Sequence, residues 1–231
     1  MLILAVDTAT PAVTAGLVEL EPADPGTTPR ITTVITKVTV DARAHNEVLT
    51  PQILACLAES GRSRADIDAV VAGIGPGPFT GLRVGMATAA AFGDALGVPV
   101  YGVCSLDAIA ADTETYIAGR AQDEPIELLV VTDARRREVY WARYRAEGRV
   151  EGPEVSKPAD LDQGTANLIA GSASHVDYFD LPVLPVETPS PAGLVRCAAR
   201  ELLAGTPPEP LVPLYLRRPD AVEKSYAQVG R

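Results

Sequence analysis

The stretch Gly73 to Gly97, GIGPGPFTGLRVGMATAAAFGDALG, limits what this chain can fold into more than any other. A glycine- and proline-rich turn runs straight into a helical segment that carries Gly81, Gly85, Ala89 and Gly93. A spacing of four places these small residues along one ridge of a helix. Glycine inside a helix costs about 0.5–1 kcal/mol relative to alanine. Three glycines on one line imply a compensating gain, and close packing against a second helix is the gain expected. A phosphate cradle is disfavoured. The P-loop pattern needs GxxxxGK followed by Ser or Thr, whereas Gly81 is followed by Leu82 and Arg83. The dinucleotide fingerprint GxGxxG also fails, because after Gly75 and Gly77 the next glycine, Gly81, comes one residue late. Pro76 and Pro78 lack the backbone N–H groups that such a cradle aims at an anion.

A chain of 231 residues suffices for one large domain or two small lobes. Its net charge of −10 makes a poor stand-alone nucleic-acid binder, since affinity for a phosphate backbone comes from clustered Lys and Arg. The three cysteines, Cys56, Cys104 and Cys197, are far apart and form no CxxC pair, so they read as reduced thiols of a cytoplasmic protein. Leu2–Val6 is apolar, but Asp7 ends the run and no basic residue precedes it; it reads as a buried strand rather than a signal peptide. No apolar run approaches the roughly 18 residues of a membrane span.

Along the chain, Leu2–Val6, Val13–Leu20 and Ile31–Val40 read as strands, the third from its β-branched content. Ala44 to Glu59 reads as a helix with Leu49, Ile53 and Leu57 as its apolar stripe and Gly61 as its stop. Pro51 either kinks this helix or, with Thr50 as cap, restarts it. Asp68–Ile74 and Val98–Val103 are further strands around a helix over Thr80–Leu96, and Ser105 is a candidate cap for a helix to about Ala118. The opening pattern then recurs. Ile126 to Arg145 again has an apolar strand ending in aspartate, a tight polar turn and a second strand, so Asp7 and Asp133 occupy matching places. In that second strand Tyr140 and Trp141 alternate, which predicts one facing the core and the other solvent or a neighbouring subunit. From Glu151 onward the pattern is looser, with a short strand near Leu168–Gly171, a helix over Pro191–Ala204 and proline-rich surface connectors. The order predicts two α/β lobes of related topology, the second abbreviated.

The segments LAVDTAT, AHNEVLTPQI, GIGPGPFTGLRVGMATAAAFGDALGVPVYGV, TDARRREVYWA and PLYLRRPDA together resemble the actin-like ATPase (ASKHA) superfamily. Within it the chain is similar to the TsaB (YeaZ) family, partner subunits in bacterial biosynthesis of threonylcarbamoyladenosine on tRNA. The resemblance implies an α/β fold of two related lobes, mixed sheets flanked by helices, divided at residues 1–104 and 105–231. It implies a non-catalytic subunit that pairs with the transferase TsaD as a heterodimer, with the P-loop ATPase TsaE joining the complex. For the chain alone the sequence leaves monomer and homodimer both open, and contact with tRNA is expected only through the complex. TsaD-like chains carry an HxxxH metal pair after the segment equivalent to GVPVYGV, and the two positions are held here by Ser105 and Ile109. Only His45 and His175 are present, so no metal site is expected, and a zinc hydrolase needs three protein ligands.

The resemblance also implies that TsaB chains pair through the two helices of the first lobe. The expected partner-interface residues are therefore His45, Leu49, Ile53, Gly81, Gly85, Ala89 and Gly93. The plainer alternative is that these helices pack on the lobe's own sheet. Actin-like ATPases hold phosphates with glycine-bearing hairpin turns, yet both turns here, Thr8–Pro11 and Ala134–Arg137, lack glycine. Asp7, Asp133, Arg135 and Arg136 are the candidates for a residual nucleotide or RNA contact, with Asp7 and Asp133 otherwise strand-end hydrogen-bonding groups. No cofactor is expected on the chain alone, and ATP or ADP only at the joint with TsaD. The Arg135–Arg137 turn and the pair Arg217 and Arg218 are otherwise solvated. Rival readings are a stand-alone ATPase or kinase, a glycoprotein peptidase, and a direct tRNA-binding module. No Ser–His–Asp set is expected around His175, with Ser172 and Ser174 as its nearest hydroxyls.

Overall fold

The computed structural model describes residues 1–23, 27–41, 45–118 and 125–217. Strand β1 (Leu2–Asp7) is apolar without alternation and buried throughout, as a strand covered on both faces must be. It pairs antiparallel with β2 (Ala12–Glu21), and β2 with β3 (Arg30–Val40). Helix α1 (His45–Ser60) leads to β4 (Ile67–Gly73), parallel to β1, and α2 (Phe79–Leu96) leads to β5 (Val100–Val103), parallel to β4. The first sheet therefore runs β3-β2-β1-β4-β5.

Helices α3 (Ser105–Asp112) and α4 (Glu114–Ile117) precede the second sheet. Its strands are β6 (Leu128–Asp133), β7 (Val139–Arg145), β8 (Gly148–Ser156) and β9 (Leu168–Gly171), in the order β8-β7-β6-β9. The arrangement of β1 to β4 is thus repeated, with Asp7 and Asp133 closing equivalent strands. This is an α/β fold of two related lobes, each with a mixed sheet. The second lobe is the abbreviated one: among the described residues its sheet has four strands to the first sheet's five, and the short α5 (Ala173–Val176) follows β9 before the chain returns to the first lobe.

Both faces of the first sheet are covered. Leu49, Ile53 and Leu57 of α1 and Ala89 of α2 pack on Leu4, Val6 and Val70. On the other face lies α6 (Pro191–Ala204), whose Leu194, Val195, Ala198 and Leu202 cover Ile3, Ala5 and Val71. Helix α6 starts with Ser190 accepting the Gly193 amide at 2.9 Å and ends at Gly205 in the left-handed region, φ 62°. At Gly193 it crosses α3 so closely that a Cβ would sit 2.6 Å from the Ala108 carbonyl oxygen. No helix among the described residues is long and apolar enough to cross a membrane.

Several local expectations change. Helix α1 runs unbroken through Pro51, because Pro51 is exposed and the bond it removes lies on the solvent side. Ala44, the expected start of that helix, and Arg218 lie outside the described residues. Ser105 is the first helical residue rather than the cap, and its hydroxyl donates to Asp7 instead of to its own helix. Tyr140 and Trp141 are both buried, since the second sheet also has cores on both faces. Strand β8 was not legible, because Glu151, Pro153 and Glu154 interrupt any alternation.

The proline-rich segment after α6 lies extended across both lobes. Thr206 accepts a hydrogen bond from the Tyr101 hydroxyl at 2.8 Å, and the Leu214 amide donates to the Ile74 carbonyl at 2.8 Å. Tyr215 stacks on Phe79 with ring centroids 5.1 Å apart and accepts from Arg83 Nε at 2.8 Å. Arg217 then reaches the second lobe, donating to the Ala134 carbonyl at 2.9 Å and pairing with Glu138.

Candidate partner surface and interlobe cleft

The glycine ridge of α2 meets the chain's own first lobe. A Cβ on Gly85 would lie 2.3 Å from Thr8 Oγ1, one on Gly81 2.8 Å from the Thr8 carbonyl, and one on Gly93 2.1 Å from Val100 Cγ2. The absent side chains let α2 lie directly on the turn after β1 and on β5. Thr8, buried at that contact, donates its hydroxyl to the Gly81 carbonyl at 2.7 Å and accepts the Gly85 amide at 3.0 Å. This hydroxyl was missed in the sequence, where nothing local links it to a helix so far along the chain.

The seven residues expected at a partner interface are therefore corrected. His45, Leu49, Ile53, Gly81, Gly85, Ala89 and Gly93 are all buried within the chain. His45 holds the Thr10 carbonyl through Nε2 at 3.1 Å, while Leu49 and Ile53 are core. Among the residues that α1 and α2 expose are Pro51, Leu54 and Ala58 on the first and Ala87, Ala90 and Ala91 on the second, with the charged Glu47, Arg83 and Asp94 along the same sides. Leu54, a large apolar side chain, is 47% exposed on this side of α1. In ATAAAF, Ala87, Ala90 and Ala91 are exposed, whereas Ala89 lies on the buried glycine ridge.

The matching aspartates have different surroundings. Asp7 is fully buried: Oδ2 accepts from Ser105 Oγ at 2.5 Å and Oδ1 from the Ala9 amide at 2.9 Å. Gly73 lies so close that a Cβ there would overlap the carboxylate. Burial pushes the Asp7 pKa up to about 6, against the lowering effect of its hydrogen bonds from Ser105, Ala9 and Thr10. Asp133 is partly exposed and accepts the Arg135 amide at 2.7 Å, with Arg135 Nη1 at 3.6 Å and His175 Nε2 at 3.6 Å. Ser174 Oγ is 2.8 Å from His175 Nδ1. The chain thus aligns Ser174, His175 and Asp133, although Ser174 is exposed and neither of the two cavities below includes them.

Arg135, Arg136 and Arg137 all have positive φ, at 62°, 54° and 61°. For residues with a Cβ this region costs about 1–2 kcal/mol each, so the surroundings must hold the turn in place. Arg135 lines a cavity of about 200 Å³ together with Thr10, Pro11, His45, Phe79 and Thr80. That cavity sits between the two hairpin turns and the start of α2, and brings His45, Gly81 and Arg135 of the expected residues together. Asp7 is sealed away beneath it.

A larger cavity, about 920 Å³, lies between α3, α4, α6 and the β7–β8 turn. Each arginine on its wall is already matched: Arg149 with Asp107 at 2.9 Å, Arg145 with Glu127 at 2.6 Å, and Arg196 with Asp112 at 3.8 Å. The positions that the resemblance aligns with a metal pair are occupied by core. Ile109 packs in the second lobe with Leu106 and Val130, and Ser105 is spent on Asp7. Among the described residues no three His, Cys, Asp or Glu side chains gather as a metal site would require.

Residues 36–202 match the family model described as TsaD: tRNA N6-adenosine threonylcarbamoyltransferase. An uncharacterized protein of Mycobacterium tuberculosis (strain H37Rv) is 54% identical over 219 residues, covering 95% of this chain and 93% of that protein. The tRNA threonylcarbamoyladenosine biosynthesis protein TsaB of Escherichia coli (strain K12) is 33% identical over 145 residues, 63% of this chain and 55% of that one. A crystal structure from Pseudomonas aeruginosa, described as having similarity to peptidase YEAZ, superposes with a TM-score of 0.71 at 26% identity, covering 94% of this chain and 99% of that chain.

Proposed function

Because the chain belongs to the TsaD (tRNA N6-adenosine threonylcarbamoyltransferase) family and resembles its TsaB (YeaZ) members, we propose that it is the non-catalytic partner of a TsaD transferase. In this reading it binds TsaD through the outward face of α1 and α2 and supports threonylcarbamoyl transfer to tRNA in the cytoplasm. TsaE joins the assembly, and tRNA meets this chain only within it. Its role is to favour the productive arrangement of TsaD, which requires that it bind that arrangement more tightly than the alternatives.

The observation that carries the reading is the exposed apolar strip of Leu54, Ala58, Ala87, Ala90 and Ala91 on two adjacent helices. Alanines permit close approach of a partner helix, and a typical interface would cover about 800 Å² on each side. Leu54→Glu and Ala91→Arg each place a charge in that strip. Either should weaken the complex with TsaD about 100-fold, because a charge buried without a partner costs several kcal/mol. The thermal midpoint of the isolated chain should stay within about 2 °C, as for surface substitutions. Calorimetric titration with TsaD reads the first, and circular dichroism the second. Undiminished binding by both variants would refute the assignment of this face.

The roughly 200 Å³ cavity at the start of α2 favours a second element of the reading, a nucleotide held at the joint with TsaD rather than by this chain alone. A stand-alone ATPase is the rival. Rapid, magnesium-dependent ATP turnover by the purified chain without TsaD would favour that rival.

A further inference from the structure

We propose that the extended segment of residues 206–217 is a latch that couples the first lobe to the strained hairpin turn of the second. Its anchorage on the first lobe is specific. Leu211 packs with Ala9, Leu82 and Met86, and the Leu214 amide is fixed to Ile74 at 2.8 Å. Tyr215 is held by its stack on Phe79 and its bond from Arg83, whose guanidinium lies 3.8 Å over the Phe79 ring. Two residues later the same segment grips the second lobe. Arg217 donates to the Ala134 carbonyl and pairs with the Glu138 carboxylate.

Ala134 and Glu138 are the two feet of the turn that contains the left-handed Arg135, Arg136 and Arg137. Across that turn the Ala134 amide bonds the Glu138 carbonyl at 3.0 Å, and the Glu138 amide bonds the Arg135 carbonyl at 3.0 Å. One guanidinium therefore brackets both feet from outside. A turn of three left-handed residues with side chains persists only where its surroundings over-determine it, and Arg217 is the outside contact that spans it. The turn also delivers Arg135 to the cavity beside Phe79 and Thr80. Phe79 is shared: it lines that cavity and carries Tyr215. Detaching the strap at Tyr215 thus removes the support that holds Arg217 in reach, and the turn relaxes away from the cleft.

Hydrogen exchange of the full chain tests this, with amides read individually. Arg217→Ala should speed exchange at the Ala134 and Glu138 amides about tenfold or more, because these report local opening of the turn. Amides of Leu4 and Val70 in the first sheet should be unchanged. The decisive variant is Tyr215→Ala, which alters a contact with the first lobe only. It should accelerate the same Ala134 and Glu138 amides. If Tyr215→Ala leaves them unchanged, there is no coupling between the lobes and the latch is overturned, with Arg217 reduced to a local staple. If Arg217→Ala also leaves them unchanged, the bracket itself is disproved. Neither readout depends on TsaD.

Discussion

Gly85→Leu is expected to destabilise the first lobe strongly instead of only stripping a partner from a folded one. The first atom of any side chain at residue 85 would fall 2.3 Å from Thr8 Oγ1, well inside contact distance. Relief requires α2 to lift from the turn after β1 or Thr8 to leave its place. Either movement breaks the bonds of the buried Thr8 hydroxyl to the Gly81 carbonyl and the Gly85 amide. Overpacking of a tight core costs about 1–3 kcal/mol. Leaving buried polar groups unpaired adds about 1–3 kcal/mol. A loss of about 2–6 kcal/mol is a large share of the stability of an ordinary domain, about 5–15 kcal/mol. Urea denaturation followed by circular dichroism measures it. A midpoint equal to that of the parent chain, with TsaD binding lost, would restore the ridge as a partner surface.

Asp7→Asn should stabilise the chain at neutral pH, and the gain should vanish in acid. Burial raises the Asp7 pKa from 3.8 to about 6 in the folded state. Between those values the folded chain binds more protons than the unfolded one, so stability falls as pH rises through about 4 to 6. Above pH 6 both states are ionised, and the folded state carries the full penalty of a buried carboxylate. Two pKa units correspond to about 3 kcal/mol. Asparagine cannot ionise, and it can still accept the Ala9 amide while donating to Ser105 Oγ. The variant should therefore exceed the parent by about 2–3 kcal/mol at pH 7.5 and match it near pH 4. Paired urea titrations at the two pH values decide the matter. A variant less stable than the parent at pH 7.5 would mean that the carboxylate is needed for its hydrogen bonds more than it suffers from burial.

Much of the fold could be read from residue patterns. LILAVD has no alternation, and β1 is buried on both faces. The helix expected over Pro191–Ala204 is α6, with the same bounds. The recurrence of an apolar strand, aspartate, polar turn and second strand reported the duplicated sheet topology. Ser105 and Ile109, standing where TsaD-like chains carry histidines, were equally plain, as residue identity alone decides whether a side chain can ligate a metal.

The candidate site was less legible, for a single reason. Periodicity tells which side of a helix avoids water, but not what removes that side from water. The ridge of Gly81, Gly85 and Gly93 does meet a close neighbour, but that neighbour is Thr8 of a turn and Val100 of a strand, not the second helix expected. For the same reason α6 could be bounded but not assigned to the first sheet, and Tyr140 could not be known to face a second core. Composition and spacing determined the strands, the helices, the duplication and the residue types at the metal positions. Only the tertiary structure decided which face of α1 and α2 stays exposed, and that the last described segment spans both lobes. Those outcomes depend on contacts between residues far apart in sequence, whose free energy no local pattern encodes.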